Sequence, residues 1–325
     1  MIIALVATVI APIGSFTAFA GDVGTYGDFT YGYSNDEITI LQYNGSRGDV
    51  VIPSTIDGYP VVAIDSEAFC DNDTITSVNM PSVITIDESA FYSCDELVSV
   101  NMPSVITICS CAFDSCYKLA TANMPNVETI GYEAFDYCYE LESVDIPKTT
   151  TIESYAFYEC SSLKSVNMPA VESIESDSFS YCYSLTSFDV GDSNPYYSDE
   201  DGILFNKNKT ELVFYPVGKT ASSYTVPDSV IIIGGYAFCG SNYLESVSMP
   251  NVTTIDERAF ANCWYLKSVD IPKVTEIMYG AFDGSGNYVW TIKATAPTSA
   301  TTYAFDLRSS ATGKYMKDYG YYDVE

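Results

Sequence analysis

A phenylalanine returns every 22 residues along most of this chain, and that period fixes what it can fold into. Preceded by alanine, or once by serine, it stands at Phe69, Phe91, Phe113, Phe135, Phe157 and Phe179, and again at Phe238, Phe260 and Phe282, with a degenerate copy ending at Phe305. The interval from Phe179 to Phe238 is 59, so one insertion of 37 residues interrupts an otherwise regular array. A 22-residue unit is too short to bury an apolar face of its own and gains a core only by stacking on its copies. The chain of 325 residues, long enough for two or three domains, is therefore expected to form one elongated repeat structure.

Each column of the repeat has a physical meaning. In the copy that starts at Leu97, the apolar residues are Leu97, Val100 and Met102; Pro103 ends the segment, and Val105 and Ile108 precede Ala112 and Phe113. Val100-Asn101-Met102 alternates inward and outward, which is the period of a strand, and proline suits a strand end but not a helix interior. The stretch Ile-x-x-x-Ala-Phe-x-x-Cys-x-x-Leu has apolar spacings of 3 to 5, which predicts a short helical turn that returns the chain. Neighbouring strands would pair at about 4.8 Å around one continuous core.

The pattern L-x-x-V-x-M/I-P-x-V-x-x-I-x-x-x-A-F-x-x-C resembles the BspA-like class of leucine-rich repeats, found on secreted and surface proteins of bacteria and some parasitic protists. Residues 141–160 (LESVDIPKTTTIESYAFYEC) carry it well, with Thr149 in place of the valine. Residues 51–61 resemble the first repeat of that family, and the insertion from Asn194-Pro195 through Asp201-Gly202-Ile203-Leu204-Phe205 to Tyr215-Pro216 resembles its recurring island. The resemblance covers about residues 43–305. It implies an α/β repeat fold, a right-handed leucine-rich-repeat solenoid of 22-residue units with short strands and short helical turns, interrupted by a β-hairpin island. It also implies a non-enzymatic secreted or cell-surface protein that mediates protein-protein interaction or adhesion to a host or neighbouring-cell surface.

Residues 1–20 are uncharged and largely apolar and end in Ala18-Phe19-Ala20, the small-x-small pattern of a signal-peptide cleavage site, although no lysine or arginine precedes the apolar run. Pro12 and Gly14 break the run, which argues against a membrane anchor. The expected organisation is a signal peptide over 1–20, an N-terminal cap hairpin over 21–50, repeats over 51–190, the hairpin island over 191–225, repeats over 226–293 with a last strand at 288–293, and a C-terminal cap over 294–325. No stable membrane insertion is expected after cleavage.

Six of the ten cysteines, Cys94, Cys116, Cys138, Cys160, Cys182 and Cys263, stand three residues after the repeat phenylalanine. Side chains in one column point the same way on successive coils rather than at each other, so these are expected to be buried free thiols that fill the core as small apolar groups. With Phe91, Phe113, Phe135, Phe157, Phe179 and Phe260 they form the structural set. No Cys-x-x-Cys occurs, so the spacings carry no metal, redox or cofactor motif.

Two surfaces could bind. The outward strand positions Ser99 and Asn101, Asn123, Asp145, Asn167 and Asp189 make polar ladders along one face, either a ligand surface or a merely solvated sheet. Tyr117, Tyr139, Tyr183 and Trp264 share the column after the cysteine, with Tyr92, Tyr137, Tyr158 and Tyr181 nearby. Such a stripe could anchor a protein partner or stack on a glycan, or it could simply cover the coil edge. In the island, 202–205 and 210–215 read as a hairpin whose polar turn presents Lys207 and Lys209.

Composition closes other routes. With 43 acidic against 14 basic residues the net charge is -29, which opposes binding to nucleic acid. The chain has no histidine, so no Ser-His-Asp or Cys-His pair can form, and no phosphate loop, G-x-S-x-G or H-E-x-x-H motif occurs. No catalytic residues are expected.

Overall fold

The computed structural model describes residues 21–285 together with the strands Thr291–Lys293 and Ser299–Ala300. Residues 1–20, read above as a signal peptide, and most of 294–325, read as a terminal cap, lie outside the described residues.

Each coil has three sides. A two-residue strand such as Thr107–Ile108 forms one, the turns around the phenylalanine form the second, and a three-residue strand such as Ser99–Asn101 forms the third. The two-residue strands stack in parallel and in register: Thr85, Thr107, Thr129, Thr151 and Ser173 lie side by side, and so do Ile86, Ile108, Ile130, Ile152 and Ile174. The three-residue strands do the same from Asp49–Val51 through Ser77–Asn79 and Ser99–Asn101 to Thr121–Asn123, and from Ser143–Asp145 to Ser187–Asp189. The centre of each three-residue strand, as at Val100, Val144 and Val166, faces the core, and its flanking residues face out.

The expected helical turns do not form: the described residues contain no helix. The cause lies in where the amide hydrogens go. Around Phe91, Ser89, Phe91 and Ser93 donate to Ser110, Ala112 and Asp114 on the next coil, whereas Ala90, Tyr92 and Cys94 donate three residues back. Alternate N–H groups are thus spent on a ladder between coils, and a helix needs all of them within the segment. The backbone reaches both directions by placing residues two before and two after the phenylalanine in the left-handed region, as at Ser89 and Ser93, Cys111 and Ser115, Glu133 and Tyr137, and Arg258 and Asn262. The apolar spacing of 3 to 5 belongs to a chain of turns and not to a helix.

The phenylalanines form a stacked column inside. Phe91, Phe113, Phe135, Phe157 and Phe179 follow one another at 5.0–5.2 Å between ring centroids and within 11° of parallel. Tyr43 opens the column, stacked on Phe69 at 5.1 Å, and Tyr215 opens its second half, stacked on Phe238 at 5.0 Å. All ten cysteines are free, and the six of the repeat column are buried, but these are not only apolar filler. Each thiol of Cys94, Cys116, Cys138, Cys160, Cys182 and Cys263 donates to the carbonyl of the phenylalanine one coil back, at 3.0–3.3 Å. Each of those carbonyls also accepts the amide hydrogen three residues on, so the thiol is its second donor and ties one coil to the next. Ser285, in the same column, makes the same bond to Phe260, so the column selects a small donor. Thr149, where the repeat has valine, is fully buried and donates to the carbonyl of Val127 at 2.7 Å.

Asp22–Tyr26, Phe29–Ser34 and Glu37–Tyr43 form an antiparallel meander whose last strand runs parallel to Tyr59–Ile64 and so starts the solenoid. The insertion forms a second meander, Tyr197–Glu200, Ile203–Asn206 and Glu211–Phe214, and its last strand pairs in parallel with Ile232–Ile233. Leu204 and Phe214 belong to the core of the first half, whereas Ile203, Phe205, Leu212 and Tyr215 belong to that of the second. The insertion is an internal wall with one face in each core. Gly202 has φ +75, and a Cβ there would stand 2.7 Å from the Cβ of Ser187, so this close approach requires glycine.

Candidate binding surface

The turn flank of the coils carries the aromatic residues. Tyr117 and Tyr139 stack at 5.5 Å; Tyr139 meets Tyr137, Tyr137 meets Tyr158, Tyr158 meets Tyr181, and Tyr181 meets Tyr183, all at 5.1–5.9 Å. Six tyrosines on four successive coils therefore touch in series, and Tyr155 and Tyr132 extend the cluster sideways. Three of the predicted stripe residues are exposed members of this series, Tyr117 at 39%, Tyr139 at 37% and Tyr183 at 42%, and Trp264, 47% exposed, holds the same repeat position beyond the insertion. Ser161 occupies the stripe position between Tyr139 and Tyr183, and Tyr137, Tyr158 and Tyr181, all half-buried, carry the contacts past it.

The flank runs across the insertion. The amide of Asn262 donates to the hydroxyl of Tyr181 at 2.6 Å, although 81 residues separate them. Tyr181 packs over Gly240, where a Cβ would stand 3.4 Å from its ring. Further on, Arg258 donates to Tyr236 at 2.8 Å and lies over the rings of Tyr236 and Tyr279. Burial lifts the Tyr155 hydroxyl to about 12 and raises those of Tyr139, Tyr158, Tyr181 and Tyr183 above their usual range. At neutral pH these phenols are uncharged and can donate hydrogen bonds. Exposed Tyr132, Tyr243, Tyr265 and Tyr279 belong to the same flank. They sit in other columns of the repeat, and a search along one column overlooks them.

The polar ladders are largely occupied with themselves. Asn101 donates to Asn79 at 2.8 Å, Asn123 to Asn101 at 2.6 Å, and Asn167 to Asp145 at 2.7 Å. Ser99 and Asn101 are half-buried, whereas Asn123, Asp145, Asn167 and Asp189 are exposed. The strand pairing breaks between Thr121–Asn123 and Ser143–Asp145. The side-chain ladder, too, has no bond there: Asn123 donates to Asn101, Asp145 accepts from Asn167, and a carboxylate has no proton to give to Asn123. The two island lysines are also engaged: Lys209 pairs with Glu200 at 2.5 Å, and Lys207 donates to the carbonyl of Asp192 at 3.1 Å. Neither stands free at a hairpin tip.

Beneath the flank, Asp114 and Asp136 are buried carboxylates on adjacent coils. Ser115 donates to Asp114 at 2.9 Å, but burial still lifts Asp114 to about 6. Burial, then the charges of Asp114 and Glu133, lift Asp136 to about 8. A cleft of about 300 Å³ opens between the edge strand Ser173–Ile174 and the island, lined by Glu172, Tyr196, Tyr197, Glu211 and Val213 among others. Burial and Asp256 raise the carboxyl of Glu211. Among the described residues no helix is long and apolar enough to cross a membrane.

A family described as "BspA type Leucine rich repeat region" matches residues 62–186 and 211–311 in six copies. Among solved structures, a leucine-rich cell surface protein of Faecalibacterium prausnitzii is 27% identical with a TM-score of 0.58, the match covering 82% of this chain and 87% of that one. A leucine-rich repeat protein of Bacteroides ovatus is 23% identical with a TM-score of 0.53, covering 83% and 90%. One from Eubacterium ventriosum is 19% identical with a TM-score of 0.52, covering 90% of each chain. No curated protein matches the chain.

Proposed function

Since this chain belongs to the BspA-type leucine-rich-repeat family, we propose that it is a secreted or cell-surface binding protein whose partner, a protein on a host or neighbouring cell, docks on the aromatic flank. The contact series from Tyr117 to Tyr183 carries this reading. Tyrosine and tryptophan give large contact areas with few rotors to immobilise, and they concentrate where protein interfaces hold most of their energy. The self-bonded asparagine ladders offer fewer free donors and acceptors and rank below the flank. On this reading residues 1–20 direct export, and the remainder acts as one elongated unit without catalysis, consistent with the description of the Faecalibacterium relative as a cell surface protein.

Glycan binding is the second reading, and the observation that favours it is the exposed stacked pair Tyr117 and Tyr139, whose faces could receive sugar rings. A panel of purified extracellular-matrix proteins and a glycan array separate the two. The proposal predicts capture of a matrix protein, lost in Tyr139→Ala and Tyr183→Ala. A signal on the glycan array alone, lost in the same variants, would establish the second reading instead, and no signal on either would leave a passive envelope spacer.

A further inference from the structure

Two columns of the repeat, two residues before the phenylalanine and one after it, lie next to each other on the turn flank, so two adjacent coils present four such positions as a square. On the coils of Phe113 and Phe135 the corners are Cys111, Asp114, Glu133 and Asp136. All four are metal-ligand types, which no other pair of adjacent described coils achieves: the next pair has Glu133, Asp136, Tyr155 and Tyr158, and the preceding one Ser89, Tyr92, Cys111 and Asp114. The thiol of Cys111 and carboxylate oxygens of Asp114 and Glu133 all lie within 4.8 Å of one another, and Cys111 reaches Glu133 at 3.6 Å. Ligand atoms around a tetrahedral zinc ion, at bonds of about 2.0–2.3 Å, stand about 3.3–3.8 Å apart, so modest side-chain rotation closes the difference.

The fourth corner supplies an independent observation. Asp136 is only 6% exposed, and its Oδ1 has no hydrogen-bond partner. Its strongest charged neighbours are Asp114 and Glu133, two corners of the same square. The ion pairs of the described residues join other acids to lysine or arginine: Asp28, Glu96, Glu142, Glu200 and Glu245. Asp136 lies outside the 4.8 Å group formed by the other three, but a buried carboxylate oxygen without a donor, acted on by the charges of two of those three, is a group arranged for a cation and completes the set by turning toward it. Cys111 and Glu133 are partly exposed and leave a way in, whereas Asp114 and Asp136 form the buried floor.

We propose that Cys111, Asp114, Glu133 and Asp136 form a binding site for a divalent cation of the zinc class. One thiolate among three carboxylates selects a borderline ion such as Zn²⁺ over Ca²⁺ or Mg²⁺, which prefer oxygen alone. Binding replaces protons on Cys111 and on any protonated carboxyl by the metal, with no change of oxidation state. The ion clamps two coils together in the middle of the aromatic flank, beneath Tyr137 and Tyr139.

Titration of the reduced full chain with Co²⁺ tests this, because a thiolate ligand gives a sulfur-to-cobalt charge-transfer band that adventitious carboxylate binding does not. The expected result is a stoichiometric band that Zn²⁺ bleaches in competition and Ca²⁺ does not. Cys111→Ser should abolish the band, and Asp136→Asn should weaken Co²⁺ binding at least tenfold while the protein stays folded. Cys109→Ser, two residues away and outside the square, should leave both unchanged. Failure of Co²⁺ to give the band, or a band that survives Cys111→Ser or disappears in Cys109→Ser, would overturn the assignment.

Discussion

The buried thiols act as hydrogen-bond donors, and this decides what may replace them. Cys138 is fully buried and donates to the carbonyl of Phe113, which keeps the amide of Cys116 as its other donor, so Cys138→Ala should destabilise the fold by about 1–2 kcal/mol through the lost thiol bond and the space left by the sulfur. Cys138→Ser, which imitates Ser285, should lose less, and chemical denaturation of the two variants compares them. Since all ten cysteines are free, unreduced protein in denaturant should react with ten thiol equivalents; two or four would mean that disulfides have formed. At Asp145 the side-chain ladder rather than the strand pairing turns on one residue, since Asn167 and Asp189 face each other in the same way while their strands stay paired. Asp145→Asn would donate to Asn123 and accept from Asn167, and should stabilise the protein by about 0.5–1.5 kcal/mol. Asp136 gives a pH signature in chelator-treated protein. Its folded value of about 8 lies above the ordinary 3.8, so between those values the folded chain keeps a proton that the unfolded chain has released. Stability from this group is therefore full below 3.8 and falls as pH rises toward 8. Asp114, Glu133 and Glu159 are the acids that act on it. Asp136→Asn should melt above the parent at pH 8 and with it at pH 3; an equal shift at both would mean that the carboxyl is not buried as described.

At the scale of the coil, the periodicity makes the stacking legible but not the local conformation. The columns of Phe, Val, Ile and Leu identify the core, because only inward positions of a stacked unit need to be apolar in every copy. A helix and a string of turns share similar apolar spacings, and the alternating destinations of the amide hydrogens around Phe91 depend on a neighbouring coil that no single repeat contains. The island shows the same limit: its hairpin strands are visible in 202–215, but its role as a wall depends on the alternation of Leu204 and Phe205 between two cores. Phe135 is fully buried between two stacked neighbours, so Phe135→Ala should lose about 3–5 kcal/mol by chemical denaturation. Gly202→Ala should act at the wall, lowering the stability of both halves together, since the Cβ would strike Ser187 and the backbone sits in the left-handed region.

Over the whole molecule, charge and aromatic character are carried on different terms. The net charge of -29 disfavours polyanions. Three lysines bridge adjacent coils, Lys118 to Glu96, Lys164 to Glu142 and Lys267 to Glu245, but these pairs are exposed and each contributes at most about 1 kcal/mol. The aromatic flank was legible in part, as the column of Tyr117, Tyr139, Tyr183 and Trp264. Its continuity was not, because Tyr137, Tyr158 and Tyr181 lie in other columns and Tyr181 reaches Asn262 only after the insertion has folded between the cores. The most direct test of the proposed binding surface is the affinity of the chain for whichever purified extracellular-matrix protein it captures, measured for the parent and for the double variant Tyr139→Ala/Tyr183→Ala. The account predicts a loss of at least tenfold with the melting temperature changed little. Undiminished affinity in a folded double variant would contradict it and place the contact elsewhere on the solenoid.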